Sequence, residues 1–150
     1  MPVANLIESL SLPEVKITHQ RASNRYQFHW EAVKESEFEV CPKCATLSRH
    51  VHDRRTVKIK DSPVRDKRVV LHIQKRRFYC KPCKRLFTEP IGGIKKSHRT
   101  TERLARTVLH HSERFVTLKG VEKNCGVSAG YIFRTVYRML ELKRRMHNQY

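Results

Sequence analysis

The sequence lacks several features that define common protein classes. It has no long uncharged apolar run and no signal-peptide pattern at the N-terminus, which argues against a membrane span and a secreted protein. It has no internal repeat and no low-complexity tract, which argues against a repeat array or a biased disordered tail. Acidic residues are also scarce, at 14 against 32 lysines and arginines. We therefore expect a globular, cytoplasmic protein that makes no membrane contact.

The charge balance predicts the class of partner. The formal net charge is +18 in a chain of 150 residues. A field of this sign attracts polyanions, because each phosphate that is neutralised releases condensed counterions. Nucleic acid is therefore the expected partner, and a nucleoid-associated location follows from it. The length allows one domain or two very small ones.

The first forty residues predict a short helix or turn and then a β-hairpin. Residues 1–13 have helix-like spacing that Pro13 ends. The hairpin strands are predicted near Val15–Gln20 and Tyr26–Ala32, around a polar turn. The acidic stretch Glu31–Glu39 is interpreted as a linker. We assign residues 1–40 to this N-terminal region.

A second hairpin and three helices are predicted further along. The hairpin strands are Thr56–Ile59 and Arg68–Gln74, and residues 63–67 form the turn. After residue 93 the apolar spacing changes to a helical period, which marks a boundary. The predicted helices are Thr101–Ser112, Leu118–Asn124 and Ala129–Arg144. The expected fold class is α+β, with a zinc-ribbon-like unit at 41–92 and a small helical unit at 93–150.

Four cysteines are spaced as metal ligands. Cys41-Pro-Lys-Cys44 and Cys80-Lys-Pro-Cys83 are two Cys-x-x-Cys knuckles, and each can present two thiolates from a tight turn. Zinc at structural sites takes a closed tetrahedron of soft ligands, which four thiolates supply. The predicted hairpin between the pairs folds back and brings them together. The sequence therefore predicts a structural, non-catalytic Zn²⁺ in a zinc ribbon.

These cysteines also allow other interpretations. Thioredoxin-type redox chemistry needs a βαβ context that the sequence lacks. An iron–sulfur cluster uses the same ligands and stays open at this stage. His50 and His52 lie just beyond the first knuckle but are interpreted as surface residues. Cys125 lies apart from the other four and is interpreted as a small buried residue.

The C-terminal third has the pattern of a helix-turn-helix. Gly126 can adopt the positive φ that ends the first helix, and Ser128 can cap the next one. Apolar residues at 121, 125, 127, 132 and 136 are expected to pack the helices together and against Leu104 and Val108. Glu122 departs from the small residue often found there and leaves the helix register open. A solvated helical unit with no ligand is the competing interpretation.

The outward face of the last helix supplies the candidate DNA contacts. The N-terminal part of the second helix in such motifs meets base edges, and arginine is the commonest reader of guanine. Arg134 is therefore the leading base contact, and Lys119 and Lys123 are candidate phosphate contacts. The basic hairpin offers a second phosphate-binding surface. The full set of candidates is Tyr131, Arg134, Thr135, Arg138, Lys119, Lys123, Lys75, Arg76 and Arg77.

The ordered motifs resemble a known family. The two knuckles, Asp61-Ser-Pro-Val64, Arg76-Arg-Phe-Tyr-Cys80 and Phe87-Thr-Glu89 look like the N-terminal zinc finger of insertion-sequence transposases of the ISL-three family. The resemblance implies a prokaryotic module that recognises the terminal inverted repeats of a mobile element during transposition and DNA recombination. Family knuckles commonly have glycine after the second cysteine, where this chain has Ala45 and Lys84. These substitutions predict a looser knuckle.

The resemblance also sets the expectation about catalysis. Family members continue into a DDE-type domain that holds magnesium with separated carboxylates, and we expect no such domain within these residues. The chain is therefore predicted to be a non-enzymatic, transposase-derived reader or regulator that binds double-stranded DNA.

Two other functions were considered. One is single-stranded DNA or RNA binding, which Trp30, Phe78 and Tyr79 among basic residues would favour. The other is a magnesium-dependent nuclease or transposase component, which would need converging carboxylates. A homodimer formed through a helix such as Tyr131–Met146 is also compatible with the sequence.

Overall fold

A computed structural model describes residues 12–114 and 117–148. The predicted helix or turn at residues 1–13 lies almost entirely outside these residues. The α+β class is confirmed, with strands first and helices last. In the described part of the chain, no helix is long and apolar enough to cross a membrane. The elements are β1 (Val15–Asn24), β2 (Gln27–Lys34), β3 (Glu39–Val40), β4 (Leu47–Ser48), β5 (Val51–Val64), β6 (Lys67–Cys80), β7 (Arg85–Thr88), α1 (Glu102–Arg114), α2 (Leu118–Cys125) and α3 (Ala129–His147).

Strand β6 is the centre of the main sheet. The order is β1-β2-β6-β5, and β7 pairs with the C-terminal end of β6. Residues Val69–Ile73 of β6 are all buried, as expected for a strand with neighbours on both sides. The β2–β6 pair is parallel, whereas β5–β6 is antiparallel. The main core lies against one face of this sheet and includes Ile59, Leu71, Ile73, Ile91 and Ile94.

The β5–β6 hairpin is longer than its sequence pattern predicts. Both strands have 14 residues, because they continue through the charged stretches on either side of the apolar alternation. Charged side chains do not interrupt the backbone hydrogen bonds of a strand when they face solvent or an oppositely charged partner. The turn is narrower than predicted and consists of Arg65 and Asp66, both with positive φ. Two such residues form the mirror-image turn whose twist matches a β-hairpin.

The predicted acidic linker is only partly a linker. Residues 31–34 continue β2, and Glu39 opens β3 as a buried residue. Glu39 forms an ion pair with Lys34 at 2.7 Å, and both side chains are almost completely shielded from solvent. Charge alone does not show these roles, because Glu39 pairs within the run and Glu31 pairs with Arg21 on β1.

The predicted helix-turn-helix geometry is confirmed. Gly126 ends α2 with φ of 69°, and the Ser128 side chain accepts a hydrogen bond from the backbone of Tyr131. The Glu122 side chain accepts a hydrogen bond from the Ala129 backbone amide at 2.5 Å and so acts as a second cap of α3. This contact fixes the register of the helix that contains Glu122. The helices enclose a small core of Leu104, Val108, Val121, Cys125, Val127 and Ile132, with Val136 packed against it. Phe115, which shares the α1 spacing, lies outside the described residues.

The helices dock on the tip of the β5–β6 hairpin through a buried carboxylate. Asp61 on β5 is 2% exposed. It accepts hydrogen bonds from Arg103, including one at 2.6 Å, and from the Thr101 hydroxyl at 2.7 Å. A buried charge needs such partners, since it loses its hydration. Asp61 therefore joins the sheet to the start of α1.

Cations of the hairpin also hold the end of α2. Arg68 donates two hydrogen bonds to the Lys123 carbonyl, at 3.1 and 3.0 Å, and Lys60 donates to the Gly126 carbonyl at 2.9 Å. Positive charge is favourable at a helix C-terminus, where carbonyls are unpaired. A Cβ at Gly126 would lie 2.7 Å from the Arg68 Cδ atom, so the contact needs glycine for space as well as for its φ. These two cations therefore fix the turn of the helix-turn-helix on the hairpin.

We predict that Asp61→Ala destabilises the fold by about 3 kcal/mol, because it leaves Arg103 and Thr101 without their shared acceptor. Urea unfolding followed by circular dichroism measures the change. Asp66→Asn, at the exposed hairpin turn, is the matched control and should change stability little, since asparagine tolerates its positive φ. Equal effects of the two substitutions would contradict this role for Asp61.

Candidate metal centre and nucleic-acid interface

The two Cys-x-x-Cys pairs occupy two neighbouring turns. Cys41 and Cys44 lie in the turn between β3 and β4, whereas Cys80 ends β6 and Cys83 lies in the turn before β7. Both turns are at the same end of the β5–β6 hairpin, because β5 begins just after β4 and β6 runs back to Cys80. The hairpin therefore brings the pairs together, as predicted.

The four thiols match a tetrahedral metal site. Their sulfur atoms all lie within 4.8 Å of one another, and the Cys44 and Cys80 sulfurs are 3.4 Å apart. A tetrahedron with zinc–sulfur bonds of about 2.3 Å has sulfurs about 3.8 Å apart. Among the residues described, this is the only group of three or more His, Cys, Asp or Glu side chains positioned for one ion. His50 and His52 are not part of it.

The residue after each knuckle adopts a left-handed conformation. Ala45 has φ of 58° and Lys84 has φ of 51°. The Ala45 amide donates to the Cys41 carbonyl at 2.9 Å, which closes the first turn. Both residues therefore keep the left-handed conformation that suits glycine, although they carry side chains. An L-residue pays about 1–2 kcal/mol for this conformation.

An aromatic pair supports the cysteines. Phe78 is fully buried, and its ring stacks on that of Phe87 with centroids 5.8 Å apart. Both pack with Cys41 and Cys80 in one small core. A core of this size is too small to stabilise the unit alone, which is the usual reason for a structural metal.

Hydrogen bonds and burial give the four thiols different pKa values. The Thr46 hydroxyl, whose oxygen lies 3.2 Å from the Cys44 sulfur, lowers the pKa of Cys44 to about 6, together with the Thr46 backbone and the neighbouring thiols. Cys44 and burial raise the pKa of Cys83 to about 12. A bound dication favours all four thiolates, so metal binding releases protons and should tighten as the pH rises.

The three hairpin cations proposed to contact phosphate have different surroundings. Arg76 donates to buried Glu89 at 2.8 and 3.0 Å and to Ser36. Arg77 forms an ion pair with Asp53, which raises the pKa of Arg77 and lowers that of Asp53. Lys75 is half-buried and lines a cleft beside the first knuckle. Only Lys75 of the three forms no salt bridge in the described residues, although the charge of Glu89 acts on it.

The candidate contacts on the helices lie mostly at the surface. Arg134 and Arg138 are exposed, whereas Tyr131 and Thr135 are half-buried. The Tyr131 hydroxyl donates to Thr100 at 3.3 Å. These four residues line a single cleft between α1 and α3. The side chains of Lys119 and Lys123 are exposed on α2, outside that cleft.

The aromatic rings that could stack on bases mostly pack against other parts of the protein. Phe78 is in the core, and Trp30 stacks on Phe28 with centroids 5.5 Å apart. Tyr79 is half-buried, with its ring against the edge of His50. This arrangement leaves no exposed row of aromatic rings on the described sheet face.

Comparison with known proteins identifies the region around the cysteines. Residues 37–83 match the family described as the zinc-finger of transposase IS204/IS1001/IS1096/IS1165. The resemblance drawn from the sequence is confirmed. A curated relative, the transposase for insertion sequence element IS1001 from Bordetella parapertussis, is 33% identical over 67 residues. That alignment covers 45% of this chain and 16% of the relative. No solved structure matches the chain.

The family and the geometry agree on the metal. The matched segment contains all four cysteines, and their sulfurs form one cluster. The family match and the sulfur cluster therefore support zinc binding, and Cys41, Cys44, Cys80 and Cys83 are the residues positioned to hold the ion. Four protein ligands would leave no open coordination position, and an ion held in this way would stabilise the fold rather than activate water.

We predict that Cys83→Ser lowers the zinc content and the thermal stability of the ribbon, because a hydroxyl is a poor substitute for a thiolate ligand. Metal analysis with circular dichroism measures both. Cys125→Ala removes a thiol buried in the helical core, outside the cluster, and should leave one zinc per chain. Full zinc occupancy in the Cys83 variant would contradict the ligand assignment.

We predict that Lys84→Gly stabilises the zinc-loaded protein by about 0.5–1 kcal/mol, because relief of the left-handed strain exceeds the added entropy of the unfolded chain. Lys81→Gly is the matched control in the same knuckle and should destabilise, since Lys81 has no positive φ. Thermal unfolding at saturating zinc compares the two. A loss of stability in both variants would show that the conformation of Lys84 carries no strain.

Proposed function

We propose that this chain is a zinc-stabilised, sequence-specific reader of double-stranded DNA, derived from the end-recognition part of a transposase. In this proposal, residues 1–40 and 41–92 provide the sheet and the metal unit, and residues 93–150 provide the helix that reads bases. The observation that carries it is a capped helix-turn-helix with free arginines on α3, docked on a ribbon of the transposase zinc-finger type.

The arrangement of α3 supports duplex reading. Its N-terminus is capped by Ser128 and Glu122, and exposed Gly130 and Arg134 follow in the next turns. In helix-turn-helix proteins this part of the second helix enters the major groove. A helix of 19 residues is about 28 Å long, so its far half can extend beyond the groove.

The charges on α2 and on the rest of α3 support backbone contacts. Lys119, Lys123 and Arg138 are exposed and have no ion-pair partner in the described residues. Such cations suit phosphate, which positions a protein on DNA without reading its sequence.

The acidic residues favour a reader over a catalyst within the described part of the chain. Asp53, Asp61 and Glu89 are each paired with an arginine. Two-metal phosphoryl chemistry needs carboxylates that converge on metal ions. We therefore propose that these residues contribute recognition, and that any DNA cleavage needs residues other than these.

Selection of bound sequences from a random duplex library tests the proposal directly. We expect one enriched motif, and we expect single-stranded competitor to displace the protein less well than duplex at the same salt concentration. Enrichment of no motif, or preference for single strands, would overturn the proposal.

We predict that Arg134→Ala weakens binding to the selected site by about 1–3 kcal/mol and relaxes the preference at one base pair, because a bidentate contact to guanine is lost. Arg145→Ala, an exposed arginine near the end of the same helix, is the matched control and should leave the base preference intact. Fluorescence anisotropy with single-base variants of the site measures both. An unchanged base preference in the Arg134 variant would exclude it as a reader.

A further inference from the structure

Two surface clefts meet at one segment of the chain, Lys95–Arg99, which we term the bridging segment. The first cleft lies between α1 and α3 and has a volume of about 570 Å³. The second runs along the sheet beside the first knuckle and has a volume of about 710 Å³. Ser97, His98 and Arg99 line both clefts. The two clefts therefore form one track from the metal end of the hairpin to α3.

Cations line this track almost continuously. The first cleft contains Lys95, Arg99, Arg106, Arg134 and Arg138. The second contains Lys43, Lys75, Arg85, Lys96 and again Arg99. The acidic side chains are Glu102 in the first and Glu89 in the second, and Glu89 is already paired with Arg76. The track is therefore strongly positive along its whole length.

These cations form no salt bridge within the described residues. In residues 12–114 and 117–148, they form none of the ion pairs that engage Arg76, Arg77 and Arg103. Burial lowers the pKa of Lys75, and the charge of Arg99 lowers it further. Like charges held close together cost energy that an anion between them would relieve.

The backbone of the bridging segment is held in place. The Arg99 carbonyl accepts from the Lys60 amide at 2.8 Å, and the His98 amide donates to the Lys95 carbonyl at 3.0 Å. Thr101 next to the segment donates its amide to the Lys60 carbonyl at 3.0 Å. Cations on an anchored backbone lose less entropy when they bind than cations on a free tail.

We propose that the bridging segment, with Arg106, binds the sugar-phosphate backbone of the same duplex DNA that α3 reads. This inference rests on the proposed function and adds a contact surface between the metal unit and the helix-turn-helix. The surface positions the duplex along the two clefts and reads no bases, since lysine and arginine on phosphate carry no sequence information.

The test uses the zinc-loaded chain with Lys95→Gln, Lys96→Gln and Arg99→Gln together. Affinity for the selected duplex is measured across a range of salt concentrations. Each lost phosphate contact should reduce the slope of log affinity against log salt by about 0.9, so we expect a slope smaller by about two to three. The base preference should stay as in the unchanged chain.

The matched control is Arg25→Gln, Arg114→Gln and Arg145→Gln, which removes three exposed cations outside both clefts and outside the basic hairpin. A slope that falls equally in the control would overturn the inference, because net charge alone would then explain it. An unchanged slope in the bridging-segment variant, with specific binding by the original chain, would overturn the inference and leave the proposed function standing. If the original chain fails to prefer duplex DNA, both are wrong.

Zinc content and circular dichroism check that the variant is folded. Should the triple variant fail to fold, Lys95→Gln and Lys96→Gln are made singly, since both side chains are exposed. Each should reduce the slope by about 0.9. No change in either would overturn the inference.

Discussion

The fold depends on bringing four thiolates from distant parts of the chain to one point. Residues 45–79 separate the pairs, and closing such a loop costs entropy that grows only slowly with its length. The β5–β6 hairpin offsets this cost through a long ladder of backbone hydrogen bonds, which two register shifts interrupt. The metal then fixes the end of the hairpin at which Phe78 and Phe87 provide only a small core. Metal binding would therefore be coupled to the folding of this end of the hairpin.

The basic residues fall into two groups with separate tasks. Arg68, Arg76 and Arg103 use their guanidinium groups inside the fold, on a carbonyl or a carboxylate. Arg99 and Arg134 are exposed and lack a carboxylate partner in the described residues. Net charge alone is thus a poor guide to how many cations can meet a polyanion. Charge that is neutralised within the protein stabilises the structure, and only the remainder is available to a ligand.

The sequence was sufficient for features set by local chemistry. The knuckle spacing predicted the two pairs of thiols that form the cluster, and Gly126 with Ser128 predicted the turn of the helix-turn-helix, because each depends on a backbone angle or a cap within a few residues. The parallel pairing of β2 with β6 and the ion pair between Arg76 and Glu89 were not predicted. These join residues far apart in the chain, and a run of arginines gives no sign of which ones find a carboxylate. Local preference is also a poor guide at Ala45 and Lys84. The tertiary structure holds both residues in a left-handed conformation that their side chains disfavour.

The length of β6 has a geometric consequence. Arg68 holds the helices near one end of the strand, and Cys80 holds the metal at the other. Twelve steps of about 3.3 Å place these ends about 40 Å apart. One turn of B-form DNA is about 34 Å. In the proposed complex, a straight duplex lying along β6 would present successive turns of the same groove to the two ends of the strand.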